Sequence, residues 1–544
     1  MARLVLGPLL RHVGAEDATI WVETEAPCEV EVCGCSDRTF EIEGHHFALV
    51  HVTGLEPEEA RPYDVRLDGE LVWPLDDGWP ASCIRTIGDD HGLRISFGSC
   101  RVAHPDEPPW TLTKDEDPRG REHDALRTLA MKMRAQDVED WPHLLLLLGD
   151  QVYADEVPVS TAEFIAARRD PSVPPGYEVA DFEEYCRLYE DSWSEPSVRW
   201  LLSTVPTAMI FDDHDVHDDW NTSDAWVRGM RGKGWWDARI VGGFMSYWVF
   251  QHLGNLSPAQ LAEGGLYDAV RSAGDAAALL ASRMDTEGRQ VGHSRWSFAR
   301  DLGGARLVVI DSRAGRQVTP GGRELVQDEE WDWIREQALK PARHLLLASS
   351  VPFLLAPGLH HVEAFDEALT EGAWGRVGAM LGEKLRRAAV VDHWASFQRT
   401  FRKLVDLLDD VAHGRVGDAP ASIVMLSGDV HHCYLAEVGF RDAARSRVWQ
   451  AVCSAFRKEL APEEKRVIAF GHSVVAERLA RRLARAAGVR PLSLDWRVVE
   501  RPAYANQVAT LTLDGEHASL VVEAVAGDDW RAPGLAPAIT RDLT

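Results

Sequence analysis

Apolar and polar side chains alternate with a period of two over residues 1–90, most clearly at Thr19 to Glu23, Glu29 to Cys33, Phe47 to Val52 and Tyr63 to Leu67. Alternation puts every second side chain on one face of a sheet, so this segment predicts a small all-β sandwich with turns such as Asp68-Gly69. From about Leu93 the texture changes. Continuous apolar runs at Arg94 to Phe97, His143 to Leu148, Ala208 to Phe211, Leu307 to Ile310, His344 to Ala348 and Ile423 to Leu426 read as strands buried on both faces. Helical patterns separate them, at His123 to Ala135, in acidic aromatic stretches between Pro158 and Arg199, and around Trp331 and Trp333. Strands alternating with helices predict crossovers within an α/β domain. Alternation returns at Gln507 to Leu513 and Ser519 to Ala524 around Asp514-Gly515, which predicts a closing hairpin. The expected division is a β-sandwich over 1–90, a larger domain over 91–530 and a tail over 531–544.

Three of the apolar runs end in metal-ligand side chains. Gly149-Asp150 follows the first, Asp212-Asp213-His214-Asp215 the second, and Gly428-Asp429-Val430-His431-His432 the third. In open α/β sheets the ligand site lies beyond the carboxyl ends of the strands, so these residues are expected at one rim. Any one Asp there reads equally well as a cap or turn residue. Three such clusters together read as a metal centre, because buried carboxylates of like sign repel unless cations neutralise them.

Composition narrows the partners. The chain has 544 residues and a formal net charge of −28, which argues against a general nucleic-acid backbone binder. No apolar stretch is long enough to span a bilayer, and the piece Leu4 to Leu10 is broken by Gly7 and Pro8. No secretion signal is seen, so a cytoplasmic location is the expectation. Eight scattered cysteines form no disulfide framework, and Cys33-x-Cys35 lacks a second ligand pair. The tryptophans between residues 216 and 300 read as core packing, with a substrate wall as the other reading. Val474 to Val489, with Arg478, Arg481, Arg482 and Arg485 among Leu and Ala, is a basic amphipathic helix. It suits an ordinary surface helix, an acidic partner or a membrane surface.

A dinuclear hydrolase needs a bridging carboxylate, further N and O ligands and an open position for water. Asp150 is the candidate bridge. Tyr153, three residues on, offers a phenolate and Cys100 a thiolate, a pairing that favours iron over magnesium. Cys100 alone reads equally as a small buried residue in a tight Gly98-Ser99 turn.

Phe97-Gly98-Ser99-Cys100, Gly149-Asp150-Gln151-Val152-Tyr153, Asp212-Asp213-His214-Asp215 and Gly428-Asp429-Val430-His431, in this order, resemble the successive motifs of the PhoD-like alkaline phosphatases and phosphodiesterases, of the calcineurin-like metallophosphoesterases. Ile310-Asp311-Ser312-Arg313, Gln327 to Trp333 and Ser350-Val351-Pro352 agree more weakly. The resemblance covers roughly residues 93–525 and implies an α/β metallophosphoesterase sandwich, two mixed sheets flanked by helices. The β domain before it resembles a fibronectin type III or immunoglobulin-like module. The implied function is hydrolysis of small-molecule phosphate esters, mono- or di-, by metal-activated hydroxide.

Residue by residue, the resemblance implies that Cys100, Asp150 and Tyr153 hold an iron, with Asp150 shared with a calcium or similar divalent ion in a dinuclear or multinuclear centre. Asp213, Asp429 and His431 complete the ligand set. His214 is the implied catalytic imidazole, with Asp212 or Asp215 to orient it. Arg101 and Arg313 are the nearest candidates for contacts to phosphoryl oxygens, and either reads equally as a structural ion-pair residue. An isolated histidine ligand has no clear match, with His360 and His361 as candidates by composition. Two other functions remain open from sequence: a metal-bearing binding or regulatory module without turnover, and an interaction protein that works through its β domain and Arg-rich helix. Oligomeric state is not readable from the sequence.

Overall fold

A computed structural model describes residues 2–88, 92–389, 391–527 and 529–544, so the expected boundary between residues 90 and 91 lies outside the described residues. The amino-terminal module is a two-sheet antiparallel sandwich. One sheet orders Leu4–Val13, Asp17–Thr24, His45–Thr53 and Phe40–Ile42, and the other Cys35–Arg38, Glu29–Val32, Val65–Leu67 and Glu70–Trp73. Ile20, Val22, Ala48 and Val50 face inward between the sheets with Val30, Val32 and Val65. Their neighbours Trp21, Phe47 and Leu49 point the other way, into the core of the larger domain.

This outer face is as dry as the inner one. The Trp21 ring lies 5.4 Å from Phe250, whose ring stacks on Tyr189 at 4.2 Å. Arg11, fully buried, donates to the carbonyls of Phe250 at 2.7 Å and Gln251 at 2.6 Å. The alternation expected at Thr19 to Glu23 is therefore incomplete: Ile20, Trp21 and Val22 are consecutive and all buried, because both faces of the strand are covered.

In the larger domain two sheets face one another. The first orders Thr207–Ile210, Leu144–Leu148, Leu93–Gly98, Gln507–Asp514, His517–Ala526 and Gly534–Asp542. The second orders Phe298–Leu302, Ala305–Ile310, His344–Ser349, Ser422–Ser427, Arg447–Val452, Tyr434–Phe440 and Leu494–Val498. The expected crossover is present, since Ala305–Ile310 pairs in parallel with His344–Ser349 across the helix Asp328–Ala338. Residues 531–544, expected as a tail, contribute the strand Gly534–Asp542, which pairs with His517–Ala526 and closes the sheet edge. Its exposed positions, which include Pro537, Thr540 and Asp542, concealed it.

Strand periodicity sorts the core into two layers. Leu307, Val309, Leu346, Ala348, Val424 and Leu426 face the first sheet, while Val308, Ile310, Leu345, Leu347, Ile423 and Met425 pack under Trp331, Ile334, Phe401 and Leu404 of the covering helices. Each fully buried Leu or Ile contributes roughly 1.5–3 kcal/mol, and both strand faces draw on this term. The eight cysteines are all free, as their scatter suggests. Trp220, Trp236 and Trp248 are buried and Trp226 and Trp235 partly so, while Trp220, Trp226 and Trp236 also line a cavity. No helix among the described residues is long and apolar enough to cross a membrane.

His45 ties the two parts together: its Nδ1 lies 2.8 Å from Glu23 in its own module and its Nε2 3.0 Å from Glu183 on the helix Phe182–Trp193. Burial pulls the imidazolium down, but the two carboxylates outweigh it and raise the pKa to about 9, above the ordinary 6.5. A raised folded-state pKa contributes stability that is complete below the unfolded value and fades as pH rises through the folded one. His45→Ala is therefore expected to cost about 2 kcal/mol at slightly acid pH. The gap between parent and variant, followed by urea unfolding, should narrow from pH 6.5 upward and close above about 9.

Candidate metal centre

Four strand ends converge at one rim. Leu93–Gly98, Leu144–Leu148 and Thr207–Ile210 run in parallel, and Ser422–Ser427 of the facing sheet ends against them. Two glycines allow the approach: a Cβ on Gly428 would stand 2.2 Å from Ser99 Oγ, and one on Gly149, at φ +105°, 2.7 Å from Asp212 Cβ. The sheets are stitched where they meet, as the Asp429 N–H donates to Ser99 Oγ at 2.9 Å.

Four of the expected ligands sit on left-handed backbone. Cys100, Asp150, Asp429 and His431 have φ of 59°, 51°, 68° and 50°. Each such non-glycine residue costs on the order of 1–3 kcal/mol and persists where the surroundings over-determine it. Asp215 is one such restraint. Its carboxylate accepts from the backbone N–H groups of Asp150 at 3.0 Å, Val152 at 3.3 Å and Asp212 at 2.8 Å, and from Gln251 Nε2 at 3.1 Å. Burial lifts the Asp215 carboxyl to about 7 against the pull of these bonds.

The donors form linked groups. Cys100, Asp150 and His431 have ligand atoms within 4.8 Å of one another, as do Asp150, Asp213 and His214, and then Asp212, Asp213 and Asp429. Asp150 belongs to the first two groups and Asp213 to the last two. Cys100 Sγ and the Tyr153 hydroxyl both donate to Asp150 Oδ2 at 3.3 Å. Asp150 Oδ1 and Asp212 Oδ2 are buried without a hydrogen-bond partner.

Burial, with Asp213, Asp215 and Asp429 nearby, pushes the Asp150 carboxyl well above its usual range. Burial also raises Cys100 and Tyr153, helped by the Asp150 carboxylate. Burial and Lys458 press His431 down to about 3, which leaves its imidazole neutral, the form that ligates metals. Orphaned carboxylate oxygens beside a thiol, a phenol and a neutral imidazole are the donor set multivalent cations fit.

His214 is fixed by a residue absent from the sequence reading. Its Nδ1 lies 2.9 and 3.0 Å from the two oxygens of Asp155, and its ring stacks on Tyr153 at 4.4 Å. Burial lowers the imidazolium, yet Asp155, Asp150 and Asp213 more than offset it and hold the pKa well above 6.5. The expected orienting partners are thus otherwise engaged: Asp212 pairs with Arg313, and Asp215 holds backbone.

Of the two readings left open for Arg101 and Arg313, the contacts fit that of structural ion-pair residues. Arg101 is buried, with Nε on Asp124 at 2.7 Å and Nη1 on the Ser192 carbonyl at 2.6 Å, so two of its three nitrogens are committed within the fold. Arg313, also buried, bonds Asp212 and Asp392 and lies 3.3 Å from Asp213 and 3.6 Å from Asp429. It sits among the carboxylates as their fixed counter-charge. Lys458 Nζ lies over the Tyr153 ring at 4.6 Å and supplies the positive charge at this side of the centre.

A further histidine at the rim is His393. Its Nε2 is 3.0 Å from Asp429 Oδ2 and its Nδ1 2.7 Å from Glu363. His360 packs instead against Phe401 and Trp496, and His361 against Arg481. The signal was available: Asp392-His393 is an Asp-His pair like the ones that end the strands, although no apolar run precedes it.

A family model described as PhoD-like phosphatase matches residues 127–484, and one described as a domain of unknown function (DUF7800) matches residues 1–84. No curated protein matches the chain. Among solved structures it is similar to that of PhoD, at 12% identity and a TM-score of 0.60 over 99% of this chain and 92% of that one. It also aligns with purple acid phosphatase PPD1 from yellow lupin (Lupinus luteus) seeds, at 11% identity and a TM-score of 0.45 over 96% and 71%. The PhoD alignment speaks to the fold alone, whereas the family match spans well over half of the chain and includes Asp150, Asp213, His214, Asp429 and His431. The chain belongs to the PhoD-like phosphatase family, metal-dependent hydrolases of phosphoric esters.

Proposed function

We propose that the rim centred on Asp150 is the catalytic site and hydrolyses small-molecule phosphate esters. The observation that carries this reading is the position of Asp150: one carboxylate within ligand reach of Cys100 and His431 on one side and of Asp213 on the other, with a buried oxygen left unpartnered. Cys100, Asp150, Tyr153 and His431 would hold one cation, and Asp150, Asp213 and Asp429 a second. The thiol and phenol favour iron in the first position, and the all-carboxylate remainder favours a hard ion such as calcium in the second. Bound there, such cations neutralise phosphoryl oxygens and lower the pKa of water to make a nucleophile.

The chain's own groups do the rest. His214, its Nδ1 proton held on Asp155, has Nε2 3.8 Å from Asp218, too far for a hydrogen bond, and so able to give a proton to the departing alkoxide oxygen. Asp155 positions that ring, and Arg313 keeps Asp212, Asp213 and Asp429 together against their mutual repulsion. Lys458, which lies over the Tyr153 ring, is itself paired with Glu156 and would have to share its charge with substrate. The amino-terminal sandwich we read as a fibronectin type III or immunoglobulin-like module, supported by its two antiparallel four-stranded sheets.

Purified protein assayed on p-nitrophenyl phosphate and bis-p-nitrophenyl phosphate should hydrolyse at least one, and a chelator should abolish the activity. Asp150→Asn and His214→Ala should each lower kcat by about 100-fold or more. Bound metal without turnover of any ester would overturn the catalytic reading. Asp155→Asn is expected to reduce kcat about 10- to 100-fold with little change in KM, as loss of an orienting bond does. Should iron occupy the first position, a phenolate charge-transfer band in the visible spectrum marks it, and Tyr153→Phe removes that band while the protein stays folded.

A further inference from the structure

Three helices on one side of the larger domain carry large apolar side chains outward: Gly375–Ala389, Pro462–Gly471 and Val474–Ala486. Among the described residues seventeen large hydrophobic side chains are exposed, and ten of them lie on these helices or in the turn before the first. The usual arrangement is inverted. In Val474–Ala486 the small Ala476, Ala480 and Ala484 pack inward, while Val474, Val475, Leu479 and Leu483 face solvent between Arg478 and Arg482. A surface helix ordinarily buries its larger apolar side chains.

The neighbours repeat the pattern. Trp374, Val377, Met380 and Leu381 are all at least half exposed, with Gly378 and Gly382 turned to the protein. Pro462–Gly471 buries only Gly471 and leaves Val467 and Phe470 each 61% exposed. These surfaces adjoin, since Trp374 Nε1 donates to the Ala486 carbonyl at 3.5 Å and Ser473 links the other two helices as a cap. Clustered exposure of this extent marks an interaction surface, whereas single exposed hydrophobics do not.

Charge selects the occupant. Of the ten basic side chains on the three helices, Arg386 is buried on Asp366 and Glu367, which leaves nine beside four acidic ones in a chain of net charge −28. A second copy docked through a two-fold axis would set the same basic face against itself. An anionic bilayer satisfies both features, because a helix with an outward apolar face and flanking arginines settles into the headgroup boundary, where Trp374 is also suited. The acidic remainder of the protein is screened beyond a Debye length of about 8–10 Å. We propose that this three-helix face docks the protein on an anionic lipid surface. The assignment is independent of the catalytic reading.

Flotation of the full chain with vesicles of phosphatidylglycerol and phosphatidylcholine in equal parts, and of phosphatidylcholine alone, tests it. The protein is expected to float with the anionic vesicles only and to be released by high salt. The pairs Val475→Ser with Leu479→Ser, and Arg478→Gln with Arg482→Gln, should each weaken binding about tenfold or more. Far-UV circular dichroism and thermal unfolding matching the parent would show that these exposed substitutions leave the fold intact. The proposal is overturned if the parent does not float, if both variants bind as it does, or if sedimentation shows a dimer that Leu479→Ser dissociates in a protein without affinity for lipid.

Discussion

Mutual repulsion among buried carboxylates is the constraint around which the catalytic rim is organised. Asp150, Asp212, Asp213, Asp392 and Asp429 are gathered at one rim, where burial pushes Asp150 and Asp212 well above the usual carboxylate range while neighbouring cations hold Asp392 and Asp429 below it. The protein answers with a fixed cation, Arg313, and with an acid-base pair on either side, His214 with Asp155 and His393 with Glu363. Its remaining orphan oxygens are the part of the arrangement that calls for ions. Left-handed backbone at four ligands is a second cost borne at the same place, and Asp215 spends its whole carboxylate holding that backbone. Strain and like charge concentrated in one spot are what a functional site looks like energetically.

Much of this was readable from residues alone because the ligands follow apolar runs. A strand buried on both faces leaves few options for its end, so Asp150, Asp213 and Asp429 were legible from spacing and the motif order supplied Cys100, Tyr153, His214 and His431. What escaped were partners contributed by irregular backbone. Asp155 lies two residues past Tyr153 in a loop, and His393 follows a helix rather than a strand. Neither has a periodic context, so only proximity in space reveals them. For Arg101 and Arg313 the sequence left phosphate contact and structural ion pair equally open, because an arginine near a motif advertises charge but not its commitments; both are paired to buried carboxylates. The strand Gly534–Asp542 was missed because an edge strand needs only one apolar face.

The outer helices show the opposite error of scale. The arginine-rich segment 474–489 was visible as one amphipathic helix, but its meaning depends on its neighbours. Only the fold reveals that two further helices turn valine, methionine and phenylalanine the same way, and that small alanines, not leucines, form the seam against the protein.

The amino-terminal sheet, dry on both sides, changes how the first domain must be regarded. Stripped away, it would leave Phe250, Tyr189 and the carbonyls that Arg11 satisfies facing solvent, an aggregation-prone wound rather than a clean surface. The module is not a portable cassette. Lineages that recombine domains could not trade it for another without rebuilding the phosphatase beneath, so the pair is expected to be inherited as one unit.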